Sequence, residues 1–210
     1  MLSMVGRFPE QLREGIQIGK TSLIQPLEIN PIHIYLAGMG GSGIGGDFVS
    51  KFIENECSVP YLVYKSYETP AFINEQSVVL ASSYSGNTEE TLANVHSCIQ
   101  QGAHIICIAS GGKLIDLAQR NGLDYIKLPE GWSSPRACLG YSLVAQLMVL
   151  HKLGMIGNQF ISQIESTVRI PEEEKQSIQE KARHLAASLF EKNIIIYSTD
   201  KIEPVAVRFR

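Results

Sequence analysis

Several protein classes are excluded by what this 210-residue chain has little of. It carries one tryptophan and four cysteines, Cys57, Cys98, Cys107 and Cys138, with no Cys-x-x-Cys among them. That scatter argues against zinc or thiol-redox chemistry and makes Cys98 and Cys107 packing residues of a helix and a strand. No metal and no cofactor is expected. Excess positive charge is missing too: 18 Lys and Arg stand against 21 Asp and Glu, a net charge of −3. A nucleic-acid or anionic-membrane surface would need the opposite balance. No apolar run approaches the roughly 20 residues that span a bilayer, and residues 1–9 lack the apolar core of a secretion signal. The expected compartment is cytoplasmic, with neither nucleic acid nor membrane as partner.

What the chain does have is a strand–helix alternation. Phe8, Leu12 and Ile16 recur four apart and predict an amphipathic helix over 8–17. Short apolar, β-rich runs follow at 32–37, 61–65, 77–81, 104–109 and 124–128. Helical patterns lie between them at about 40–54, 87–101 and 114–120, and a long apolar one covers 136–153. Such an order predicts an α/β three-layer sandwich around a five-stranded parallel sheet with right-handed crossovers, in the flavodoxin-like order 2-1-3-4-5. Composition shifts after Leu153: Gly154 and Gly157 loosen the chain, and Pro171 opens a charged helix with Ile178, Ala182, Leu185 and Leu189 on one face. Residues 194–199 read as a buried-type strand and 204–210 as another helix. The expected division is a first domain over 1–153, a linker and helix over 154–192, and the incomplete start of a second α/β domain over 193–210.

Two turns carry the chemistry. Gly38-Met-Gly-Gly-Ser-Gly-Ile-Gly-Gly46 follows the first strand and Ser82-Ser-Tyr-Ser-Gly-Asn-Thr88 the third, and each opens a helix. In the expected order these strands flank the topological switch, where α/β proteins bind ligands. Glycines let backbone N–H groups approach an anion at a helix N-terminus, and hydroxyls add uncharged donors. Gly38-x-Gly40-x-x-Gly43 also fits a dinucleotide fingerprint by spacing. However, the residues after the second strand are Lys65-Ser-Tyr-Glu68, with no acid at the strand end to hold a ribose. The bland alternatives are a turn that merely packs helix on strand and a hydroxyl cluster that merely caps a helix.

Together with Ser134-Pro-Arg-Ala-Cys-Leu-Gly140, these two turns resemble the motifs of the bifunctional phosphoglucose/phosphomannose isomerases of the SIS (sugar isomerase) domain superfamily. The resemblance is close over the first 150 residues. It implies an aldose–ketose isomerase interconverting glucose 6-phosphate or mannose 6-phosphate with fructose 6-phosphate through an enediolate. By motif, Gly41 and Ser42 would contact the sugar phosphate, while Ser83, Ser85 and Thr88 would hold the phosphate group. Arg136 would bind near C1–C2 and stabilise the enediolate as the catalytic cation. Its place in the first turn of a helix, facing the positive dipole end, favours such a role over a structural one. The resemblance also implies a homodimer, and places the general-base glutamate, a ring-opening histidine and a lysine beyond Arg210. On that basis this chain carries the phosphate-binding half and is expected to turn over poorly alone.

The remaining ionisable groups offer no substitute. Glu89 and Glu90 suit the first turn of a helix, Glu203 a helix start, and His33 and His151 packed positions on a strand and an apolar helix. Trp132 stands before Arg136 and could cover a sugar or take a core or rim position. Two rival functions follow from the same residues: a non-catalytic sugar-phosphate-binding regulatory module, and an NAD(P)-binding oxidoreductase domain, the latter disfavoured by the hydroxyl-rich second turn. The apolar helix over 136–153 is expected to be covered by a second domain or subunit.

Overall fold

The computed structural model describes residues 1–209, with Leu2 described by its backbone alone. Helices α1 (Leu2–Val5) and α2 (Phe8–Thr21) lead into strand β1 (His33–Gly38). Helix α3 (Gly40–Ile53), strands β2 (Tyr61–Tyr64) and β3 (Ser77–Ser82), and helix α4 (Glu89–Gln100) follow. Then come β4 (His104–Ala109), α5 (Gly112–Asn121), β5 (Asp124–Lys127) and α6 (Leu139–Lys152). All four strand pairings are parallel and the order is β2-β1-β3-β4-β5, as the alternation predicts.

The central strands bury both faces, which explains their nearly continuous apolar sequences. Alternate side chains feed separate cores. Ile34, Leu36, Val78, Leu80, Ile106 and Ile108 pack with Leu12 and Ile16 of α2, Val49 and Ile53 of α3, and Val144 and Leu147 of α6. Tyr35, Val79, Ala81, Ile105 and Cys107 pack on the other side with Val95 and Cys98 of α4 and Leu114 and Leu117 of α5. Burying each such aliphatic side chain contributes about 1.5–3 kcal/mol. Three helices on one face and two on the other make the three layers.

Some expectations need correction. Arg136 is outside α6: it lies in a 3-10 turn, Pro135–Ala137, and the α-helix starts only at Leu139. The turn is closed by Ala137 N–H to the Ser134 carbonyl (2.9 Å) and Cys138 N–H to the Pro135 carbonyl (3.1 Å). The argument from a helix dipole therefore does not apply to Arg136. The apolar sides of α6 are covered by α2, α3 and the sheet of the same chain, so no second domain or subunit is needed to bury them.

Beyond α6 an additional helix, α7 (Gln159–Thr167), forms before Pro171, and the charged helix expected from Pro171 is divided into α8 (Arg169–Glu173) and α9 (Lys175–Leu189). No residue of α9 is buried, and Ile178 and Leu185 on its apolar side are 43% and 46% exposed. The strand expected at 194–199 does not form. A strand needs a hydrogen-bonding neighbour, and the five described strands pair only with one another. Ile195 and Tyr197 are accordingly 77% and 89% exposed. The final expected helix appears as α10 (Glu203–Phe209); Arg210 lies outside the described residues.

Candidate functional site

Register places the two turns. Gly38, the last residue of β1, pairs with Ser82, the last residue of β3, so both turns leave the sheet side by side at its C-terminal edge. The first turn passes directly into α3, whose opening amides belong to Gly40, Gly41, Ser42 and Gly43. Ser42 and Gly43 N–H bond back to the Met39 carbonyl at 3.0 and 3.1 Å. The amides of Gly40 and Gly41 stand one turn ahead of any carbonyl within the helix, where a helix end offers donors to a ligand. Ser42 is buried and Gly41 half-buried.

The second turn is not a capping cluster. Thr88 is the N-cap residue of α4, yet its side chain makes no capping bond. Its Oγ1 lies 2.7 Å from the Ser83 hydroxyl instead. Ser83 is buried, Thr88 half-buried and Ser85 exposed. The Asn87 amide donates to Ser85 Oγ (3.2 Å), while Asn87 Nδ2 donates to the Ser85 carbonyl (3.0 Å). Gly86 has φ +66°, and a Cβ added there would lie 1.8 Å from the Gly111 carbonyl oxygen. Only glycine lets this turn nest against the β4–α5 turn. The two are tied by Ser110 N–H to the Tyr84 carbonyl (2.8 Å) and Leu114 N–H to the Gly86 carbonyl (2.9 Å).

The third segment closes on the first. A Cβ added to Gly41 would meet the Pro135 carbonyl oxygen at 3.3 Å and Arg136 Cα at 3.7 Å, so the Arg136 backbone rests against the first turn. Sequence reading missed two of the groups that hold it. Arg208 of α10 donates through Nη2 to the Arg136 carbonyl. Burial, then the neighbouring Arg136 charge, presses the Arg208 guanidinium below its usual pKa. From the other side, Gln11 of α2 bonds Ala137 and Gly140. Both holds span more than 70 residues of chain, a distance that no local pattern encodes. Trp132 is half-buried against the core: the Arg7 guanidinium lies 4.4 Å from its ring centroid and Tyr141 meets it edge-on at 5.6 Å.

The structure therefore brings Gly41, Ser42, Ser83, Thr88 and the Arg136 backbone to one edge of the sheet, with Ser85 at its exposed margin. Where a dinucleotide site would present an acid after β2, Lys65 sits instead, paired with Asp47. His33 bonds Ser77 Oγ through Nε2 (2.8 Å), and His151 Nδ1 lies 3.2 Å from the Ile156 carbonyl oxygen; both pack as expected, away from the turns. Among the described residues, no group of three or more His, Cys, Asp or Glu is arranged to hold a metal ion. Among the described residues no helix is long and apolar enough to cross a membrane either.

The fold is a doubly wound α/β domain whose two glycine and hydroxyl turns lie side by side at the switch point, the edge where proteins of this class place their ligands. More particularly, the chain belongs to the SIS domain family, whose model matches residues 29–156. It is 37% identical to a bifunctional phosphoglucose/phosphomannose isomerase of Caldicellulosiruptor bescii, over all of this chain and 64% of that protein. A protein of the same description from Aquifex aeolicus is 35% identical over 84% of this chain and 53% of its own length. The chain thus spans about half to two-thirds of these two relatives. Among solved structures, the C-terminal domain of glucosamine-fructose-6-phosphate aminotransferase from Francisella tularensis superposes with a TM-score of 0.75. That match covers 99% of this chain and 65% of the other at 16% identity, a likeness of fold.

Proposed function

We propose that this chain is the phosphosugar-binding part of an aldose–ketose isomerase that interconverts glucose 6-phosphate or mannose 6-phosphate with fructose 6-phosphate. The observation that carries the reading is the convergence of the Gly41 turn, the Ser83–Thr88 hydroxyl pair and the Arg136 turn on one sheet edge. The descriptions of the two relatives support it. Ser83, Ser85 and Thr88 donate to the phosphate oxygens, and the Gly41 and Ser42 segment supplies amides to the sugar phosphate. In the reaction, a base removes the C2 proton of the open aldose, leaving an enediolate, and a proton returned to C1 gives the ketose. A guanidinium at C1–C2 stabilises that charge more than it stabilises the neutral substrate, which is what accelerates the step.

None of the carboxylates described is assigned as the base: Glu89 and Glu90 stand at the start of α4, and Glu203 at the start of α10. On this reading residues 193–210 open a second domain, whose partner strands would cover the exposed isoleucines, and assembly as a cytoplasmic homodimer belongs to the same proposal. The test is binding and exchange measured together. Fructose 6-phosphate should bind saturably where free fructose does not, and solvent deuterium should enter C1 of the sugar slowly or not at all with this chain alone. Robust exchange would place the base among the residues present. Binding without exchange even in the longest form of the protein would favour a regulatory module.

A further inference from the structure

Gln11 is the one wholly buried glutamine of α2, and both ends of its amide bond backbone groups about 130 residues away. Its Nε2 donates to the Ala137 carbonyl at 2.7 Å, and its Oε1 accepts from the Gly140 N–H at 3.1 Å. Gln11 has no measurable exposure. These two backbone groups bracket the junction between the 3-10 turn Pro135–Ala137 and α6, where neither element can satisfy them internally. The contact is also close-packed: a Cβ added to Gly140 would meet Gln11 Cβ at 2.8 Å and its Oε1 at 3.0 Å. Donor and acceptor are both needed, in opposite directions, on two groups three residues apart. Among uncharged side chains of this length, only a glutamine supplies the pair.

We infer that Gln11 is a positioning residue for Arg136: it clamps the turn so that the guanidinium is held at the C1–C2 end of the sugar, an inference that rests on the proposed function above. A core position needs only an apolar side chain of suitable volume, whereas a turn carrying a cation toward developing charge must be fixed against both neighbours. Small displacements of such a group cost catalysis far more than they cost folding.

The test separates positioning from stability. Two probes share the phosphate and differ at the reacting end: arabinonate 5-phosphate carries a carboxylate where the enediolate charge develops, and arabinitol 5-phosphate carries a neutral hydroxymethyl group. Their affinities for the full chain are measured by calorimetry, with the melting temperature of every variant recorded. The original chain should prefer the aldonate by about tenfold, the worth of one charge-assisted hydrogen bond. Gln11→Glu keeps the acceptor for Gly140 and sets an oxygen against the Ala137 carbonyl; Gln11→Met keeps the volume and removes both bonds. In either variant the preference should fall about fivefold or more while arabinitol 5-phosphate binds as before. A preference that stays unchanged, or equal losses for both probes, makes Gln11 a structural clasp and overturns the inference. Arg136→Gln is the reference: if it leaves the preference intact, or if the original chain binds neither probe, the site reading itself fails and takes the inference with it.

Discussion

Replacing Gly86 by alanine tests whether the second turn is held by the close approach that the structure assigns to it. Two costs combine at this position. A φ of +66° costs a residue with a Cβ about 1 kcal/mol relative to glycine. The added methyl would also lie 1.8 Å from the Gly111 carbonyl oxygen and 2.9 Å from its carbon. Because the obstacle is backbone, relief requires moving one turn off the other, and overpacking of that kind costs about 1–3 kcal/mol. The sum is about 3 kcal/mol, or a fall in Tm of roughly 6–12 °C for a chain of this size.

Gly154→Ala provides the control, since its φ is +74° and a Cβ there meets nothing within 4 Å. It should lose only the conformational part, about 1 kcal/mol. Urea titrations of both variants give the difference directly. Fructose 6-phosphate affinity should drop for Gly86→Ala alone, because Gly86 N–H bonds the Ser83 carbonyl at 3.0 Å and displaces Ser83 when it moves. Equal destabilisation by the two substitutions would refute the close approach.

Other consequences are open to measurement. Ser83→Ala and Thr88→Val each remove one member of the 2.7 Å hydroxyl pair and should weaken hexose 6-phosphate binding by about tenfold, with Tm little changed. Burial pushes the Cys98 and Cys138 thiols up to about 11 and Cys107 up to about 12. The folded chain therefore binds more protons than the unfolded one above the ordinary thiol value near 9, and urea midpoints should fall as pH rises from 9 toward 12. Burial lowers His33 and His104, so the contribution of their neutral forms is present above pH 6.5 and is lost as pH falls below it. At neutral pH a thiol reagent should modify half-buried Cys57 well before the three buried cysteines. Limited proteolysis should cut first within 190–199, where Phe190, Ile195 and Tyr197 are largely exposed.

The sheet was readable from sequence because its signal is local. Strands buried on both faces announce themselves as apolar β-branched runs such as 77–81 and 104–109, and the switch point follows from the strand order. The two turns were readable for the same reason, since glycines and hydroxyls at a strand end have few other uses. The Arg136 turn was misjudged because Pro135, a good first residue for an α-helix, also starts a 3-10 turn, and the distinction is set by Gln11 and Arg208 from remote parts of the chain. The run 194–199 shows the limit of composition: its isoleucines specify a preference for strand, but a strand exists only where a neighbour supplies the hydrogen bonds. Whether the Thr88 hydroxyl caps α4 or pairs with another side chain is equally absent from the local pattern, because its partner Ser83 is chosen by the fold of the turn.

The central claim is that the paired turns grip the phosphate of a hexose phosphate. It is tested most directly by calorimetric titration of the chain with fructose 6-phosphate, free fructose and NAD side by side. The account predicts saturable 1:1 binding of fructose 6-phosphate, abolished in Ser83→Ala/Thr88→Val, and no heat from fructose or NAD. Binding of fructose as tight as that of its phosphate, or retention of full affinity in the double variant, would contradict it.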